Sequence, residues 1–95
     1  MTRETYGFRR FAAVPDTEPD AEAPAYRIEC VVCGHNGPLA EADKEQSAEA
    51  QDKASRKAQQ EATLWVAQHR KDEPEHFTYR MWSSAPVRLE PGAWQ

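Results

Sequence analysis

Tyr26-Arg27-Ile28-Glu29-Cys30-Val31-Val32-Cys33-Gly34-His35-Asn36-Gly37-Pro38 is the stretch on which the fold turns. It holds both cysteines of the chain, two residues apart, between a strand-like run and a glycine-rich turn. Tyr26, Ile28, Cys30 and Val32 share one face of an extended chain, with Arg27 and Glu29 on the other, so Ala25 to Val32 reads as a strand. Gly34, Asn36 and Gly37 tolerate positive φ, which lets a turn aim backbone amides at two thiolates. Cys-x2-Cys is therefore a two-ligand clamp in search of a second pair.

That pair is supplied downstream. From about residue 43 to about residue 71 the chain has neither proline nor glycine and is rich in Ala, Glu, Lys and Gln, so it reads as one long helix. Asp43 with Gln46 resembles a capping box, and Pro74 disfavours helical geometry at Glu73. Ala50, Ala54, Ala58, Ala62, Trp65, Val66 and His69 fall on a single helical stripe. His69 in the last turn thus points at the core beside Trp65. His76 follows just past Pro74, where the chain turns into the next strand. Two thiolates and two imidazoles make a closed tetrahedral zinc site, so Cys30, Cys33, His69 and His76 are the expected ligands of a structural Zn2+. His35 is an alternative ligand, disfavoured because donors two residues apart strain a site already clamped at Cys30 and Cys33.

The remaining segments complete a small α+β domain. Residues 4 to 14 read as a first strand carrying Tyr6, Phe8, Phe11 and Ala13. Residues 15–24 hold three prolines and four acids, with nothing to bury. They read as a mobile, solvated connection between two antiparallel strands, with an acidic docking loop as the functional alternative. Phe77 to Ser83 is a third strand. Val87-Arg88-Leu89 is a short fourth, and residues 90–95 form an irregular tail with Trp94 as a possible anchor. The expectation is one domain over 1–95: three or four antiparallel strands packed on one long helix and stapled by zinc.

Composition sets the energetic frame. The chain has 95 residues and is 39% hydrophobic. Much of that fraction is alanine, which buries little area. A domain of this size gains a thin margin from burial, and a metal staple supplies what the core lacks. The net charge of −4 disfavours nucleic acid and anionic membranes. Arg9-Arg10 and Arg70-Lys71 read as solvated charges, the latter favourable at a helix C-terminus. No run approaches the ~20 apolar residues of a membrane span, and residues 1–6 lack the apolar core of a signal peptide. The expected compartment is the cytoplasm, where paired cysteines serve metal or redox chemistry more often than disulfides.

As a set, Tyr26-Arg-Ile-Glu-Cys30, Cys33, Trp65-Val-Ala-Gln-His69, His76 and Phe77-Thr-Tyr-Arg80 resemble the pattern of a family of short uncharacterised actinobacterial (Streptomyces-type) proteins. The resemblance implies the same architecture and the same four site residues. It carries no activity.

Catalysis finds no support in the residues. There is no phosphate loop, nucleophile elbow or His-Glu-x-x-His helix. Four protein ligands also leave a metal no open position for water, even with Glu73 and Glu75 nearby. The expected function is a non-enzymatic interaction or regulatory module with a protein partner. Its binding surface would be the exposed sheet face, the alanine stripe or the Trp94 tail. Ala50, Ala54 and Ala58 would allow close helix approach in a homodimer. Two alternatives come from other classes: a nucleic-acid-binding zinc protein and a thiol redox sensor built on Cys30 and Cys33.

Overall fold

The structure is a computed structural model that describes residues 9–94. In chain order the elements are β1 (Arg9–Pro15), β2 (Ala25–Cys30), β3 (Ala40–Glu41), α1 (Ala48–Asp72), β4 (Tyr79–Ser84) and β5 (Val87–Trp94). They fall into two compact units. One takes in the chain ends, up to Ala21 and from Pro86 on; the other spans Glu22–Ala85.

The second unit is a three-stranded antiparallel sheet in the order β3-β2-β4 with α1 packed against β2 and β3. This is the expected α+β architecture of a long helix on a small antiparallel sheet. Cys30 pairs with Tyr79, Ile28 with Met81 and Tyr26 with Ser83. Strand alternation puts these residues on one face. On the opposite face Glu29 pairs with Arg80 and Arg27 with Trp82. There the indole N–H of Trp82 donates to the Glu29 carboxylate at 2.6 Å, with Arg80 3.5 Å from the same oxygen.

The core is thin. Among the described residues the buried apolar ones are Ala25, Ile28, Cys30, Ala42, Ala58 and Ala62, and Ile28 is the largest of them. The alanines have a geometric role: a helix without bulk at positions 58 and 62 can lie close against a sheet. Ala58, one of three residues expected to mediate a homodimer, is therefore taken up inside its own chain, while Ala50 and Ala54 are half-buried.

The helix begins later than expected. Ser47, not Asp43, is the N-cap: its hydroxyl accepts from the Ala50 N–H at 3.0 Å. Asp43 offers its backbone carbonyl instead, to the side-chain amide of Gln51 at 2.9 Å, and Gln51 also accepts from the Glu45 N–H. The residues between the two candidate caps are thus tied back onto the first helical turns without being helical. At the other end α1 closes at Asp72, one residue past expectation, and the Glu73 N–H bonds to the His69 carbonyl at 3.0 Å.

The first unit is a two-stranded antiparallel ribbon, β1 with β5. The expected first strand therefore does not pair with β2, and residues 15–24 join two different ladders. The strand expectation for Tyr6 and Phe8 lies outside the described residues. Residues 90–94 are not irregular, because β5 continues through Pro91 and Gly92 to Trp94. Phe11 pairs with Pro91 and the register then shifts before Arg9 meets Trp94. A proline lacks the N–H a central strand needs, so a ribbon edge beside an irregularity is where a strand can hold one. The docking expectation for the Trp94 side chain lies outside the described residues.

Candidate metal centre

Three local structures converge at one end of the sheet. The first is the turn after β2. The strand stops at Cys30, two residues short of the expected Val32, and residues 31–33 turn away, leaving Val32 57% exposed. The Gly34 N–H closes onto the Cys30 carbonyl at 2.7 Å, and the Cys30 N–H donates to the His35 carbonyl at 2.8 Å. Gly34 has φ of 81°, the left-handed region where a side chain would be strained. Asn36 and Gly37 do not share that conformation: Gly34 alone has positive φ among the described residues. Gly37 is small for a different reason. A Cβ there would stand 2.6 Å from Cγ of Trp65.

The second structure is the end of α1. Trp65 stacks on His69, with centroids 4.7 Å apart and planes 25° from parallel. Tyr79, across the ladder from Cys30, meets both rings edge-on at 6.2 and 6.1 Å. His69, only 8% exposed, is thus walled by two aromatic side chains. The third structure is the turn at Pro74-Glu75, closed by the His76 N–H donating to the Glu73 carbonyl at 3.1 Å. Arg70 braces this turn through the Pro74 carbonyl and covers the Phe77 ring at 4.6 Å.

Each of the four expected residues contributes one donor atom to a single cluster: Cys30, Cys33, His69 and His76 bring these atoms within 4.8 Å of one another. Sγ of Cys30 lies 3.4 Å from Nδ1 of His76. Sγ of Cys33 lies 3.5 Å from Nε2 of His69. The two ring nitrogens are 3.3 Å apart. Two thiols and two imidazoles converging on one point could hold a metal ion. His35 is not in the cluster; its exposed ring stands edge-on to His69 at 5.9 Å.

The second nitrogen of His76 faces outward. Its Nε2 lies 3.6 Å from the Glu73 carboxylate. A carboxylate near the far nitrogen favours the tautomer with the proton on Nε2, which leaves the Nδ1 lone pair toward the cluster.

Sequence reasoning missed Tyr79. Its hydroxyl is buried without a hydrogen-bond partner among the described residues. Burial pushes its pKa up, the Cys30 and Cys33 charges add to the rise, and Arg70 opposes it. The signal was present in strand alternation, but only the register brings Tyr79 opposite Cys30.

Among the described residues no helix is long and apolar enough to cross a membrane. A family model described as a domain of unknown function (DUF7848) matches residues 1–94. Neither a curated protein nor a solved structure matches the chain.

Proposed function

From a chain that belongs to the DUF7848 family, we infer a small zinc-stapled interaction or regulatory module without catalytic activity. Its structural Zn2+ is held by Cys30, Cys33, His69 and His76. The observation that carries this reading is the spacing of the donor atoms. Zinc bonds of about 2.3 Å to sulfur and about 2.05 Å to nitrogen, at tetrahedral angles, put S···N near ~3.6 Å and N···N near ~3.3 Å. The corresponding separations are 3.4 and 3.5 Å for S···N, and 3.3 Å for N···N. Two thiolates also balance the charge of a divalent ion, and a mixed sulfur–nitrogen tetrahedron suits zinc above harder cations.

A four-ligand centre has no open position for a reacting water, which favours a staple over a catalyst. Zinc here joins the end of β2, the end of α1 and the lead into β4. Binding to a site absent from the unfolded chain contributes on the order of 10 kcal/mol in small zinc domains. The partner of such a module is a protein, reached through exposed surface such as the Trp82 face of the sheet. Homodimerisation would draw on Ala50 and Ala54; a sizing measurement that finds a monomer at high concentration excludes it.

The deciding experiment is metal analysis of the purified protein and of its His69→Ala, His76→Ala and His35→Ala variants. One zinc per chain is expected, lost in the first two variants and kept in the third. Zinc lost from His35→Ala but kept in His69→Ala overturns the ligand assignment.

A further inference from the structure

The four donors do not share one environment. Cys30 is fully buried, His69 is 8% exposed and the His76 side chain 17% exposed, whereas Cys33 is exposed on its turn. Three ligands are sheltered by protein and one faces water. Cys33 is thus the donor most open to solvent.

One further imidazole lies in the same turn as Cys33. The chain has three histidines and two cysteines. Once four of these form the cluster, His35 is the single imidazole or thiol left over. It lies two residues past Cys33, exposed, with its ring edge-on to His69 at 5.9 Å. Its backbone is pinned: its carbonyl accepts the Cys30 N–H at 2.8 Å, and the next residue, Asn36, bridges to Glu29. The pinned turn thus carries an exposed imidazole next to His69, outside the resting donor set. As a mere packing contact, an exposed imidazole on this turn would leave metal exchange unaffected, and that difference is measurable.

We propose that His35 is an exchange ligand, which binds zinc in transit and releases it in the resting state. The inference rests on the Cys2His2 reading above and adds a kinetic role to it. During release a ring nitrogen of His35 would offer its lone pair to the ion as the bond to Cys33 is given up, and the Cys33 thiolate would be freed to water. No electron is transferred. Uptake runs the same exchange in reverse. A group that assists both directions lowers one barrier shared by both, so it changes rates and leaves the equilibrium alone.

The test is stopped-flow transfer of Zn2+ between the full-length protein and a chromophoric chelator, in both directions. The unmodified chain is compared with His35→Ala and His35→Gln. Neither substitution removes the backbone carbonyl that Cys30 uses. Uptake and release are expected to slow together several-fold in both variants, with the dissociation constant unchanged. Unaltered rates in both variants overturn the exchange role and leave the Cys2His2 centre standing. Faster release with weakened affinity also overturns it, because His35 would then be a resting ligand. If the unmodified protein takes up no zinc, the Cys2His2 reading itself falls, and the exchange role with it.

Discussion

Gly37 and Tyr79 show how single residues shape the centre without contributing a donor to it. Gly37 gives Trp65 the room to stack on His69. A methyl group there would lie 2.6 to 2.9 Å from Trp65 Cγ, Cδ2 and Cβ, closer than real Cβ contacts come. Gly37→Ala must displace the indole, because the Gly37 N–H is held by the Ile28 carbonyl at 2.8 Å. The expected cost is about 1–3 kcal/mol, as for other overpacked sites. Urea unfolding of the variant would measure it, and an unchanged midpoint would refute the close approach. Tyr79 makes a prediction about pH. Its folded-state pKa is raised above the ordinary tyrosine value of 10.0, mainly by burial. A raised pKa means that the folded state holds the proton more tightly. The stability that follows is fully present below pH 10 or so and is lost as pH rises through the higher folded value. An alkaline titration of the folded protein as purified, followed by tyrosinate absorbance, should show a late-ionising component that is missing in Tyr79→Phe. Identical end regions of the two curves would contradict the assignment.

At the level of elements, the helix is positioned by its cap and its alanines. Ser47 bonds the Ala50 N–H, so Ser47→Ala should cost about 1 kcal/mol. Asp43→Ala should cost well under that, because Asp43 serves α1 through a carbonyl that alanine keeps. Thermal unfolding of the two variants side by side checks this. A larger loss in Asp43→Ala would restore the capping box at Asp43. The propensity of residues 43–47 allowed either start, and local composition could not choose between them. Gln51 decided it by folding back on Asp43 and Glu45. The turn after β2 is similar. Cys-x2-Cys was legible as a clamp, but the point where the strand ends was not. The strand alternation continues through Val32, and the Gly34 N–H closing onto the Cys30 carbonyl ends it earlier.

For the molecule as a whole, the question is what holds a helix on a sheet when the buried apolar residues, among those described, are one isoleucine, one cysteine and four alanines. Alanines permit close packing but contribute little buried area, and area sets the hydrophobic term. A zinc ion held by the Cys2His2 cluster would tie together the segments that this core binds weakly. Removing zinc with a strong chelator should therefore cost the Glu22–Ala85 unit its cooperative melting transition, and adding zinc back should restore it. Helical circular dichroism against temperature reads the result. An undiminished transition in the chelated protein would show that the core suffices alone. The same measurement on His76→Ala should resemble the chelated protein, since that variant removes one of the four donors.

The sequence by itself determined that a long helix and the second and third strands form, though not where they end: the third runs Tyr79–Ser84 and not Phe77 to Ser83. It also determined the stop at Pro74 and the four residues that meet at the centre. Each follows from a local rule: helical or strand periodicity, the missing N–H of proline, or the spacing of donor residues. Pairing was another matter. That β1 joins β5 and not β2, that Tyr79 lies opposite Cys30, and that Glu73 orients His76 depend on contacts between residues far apart in the chain. Strand patterns in this chain are short and half-polar, so several pairings satisfy them equally. Tertiary structure decided among these, because a ladder's register follows from what packs on its faces and not from the strand alone.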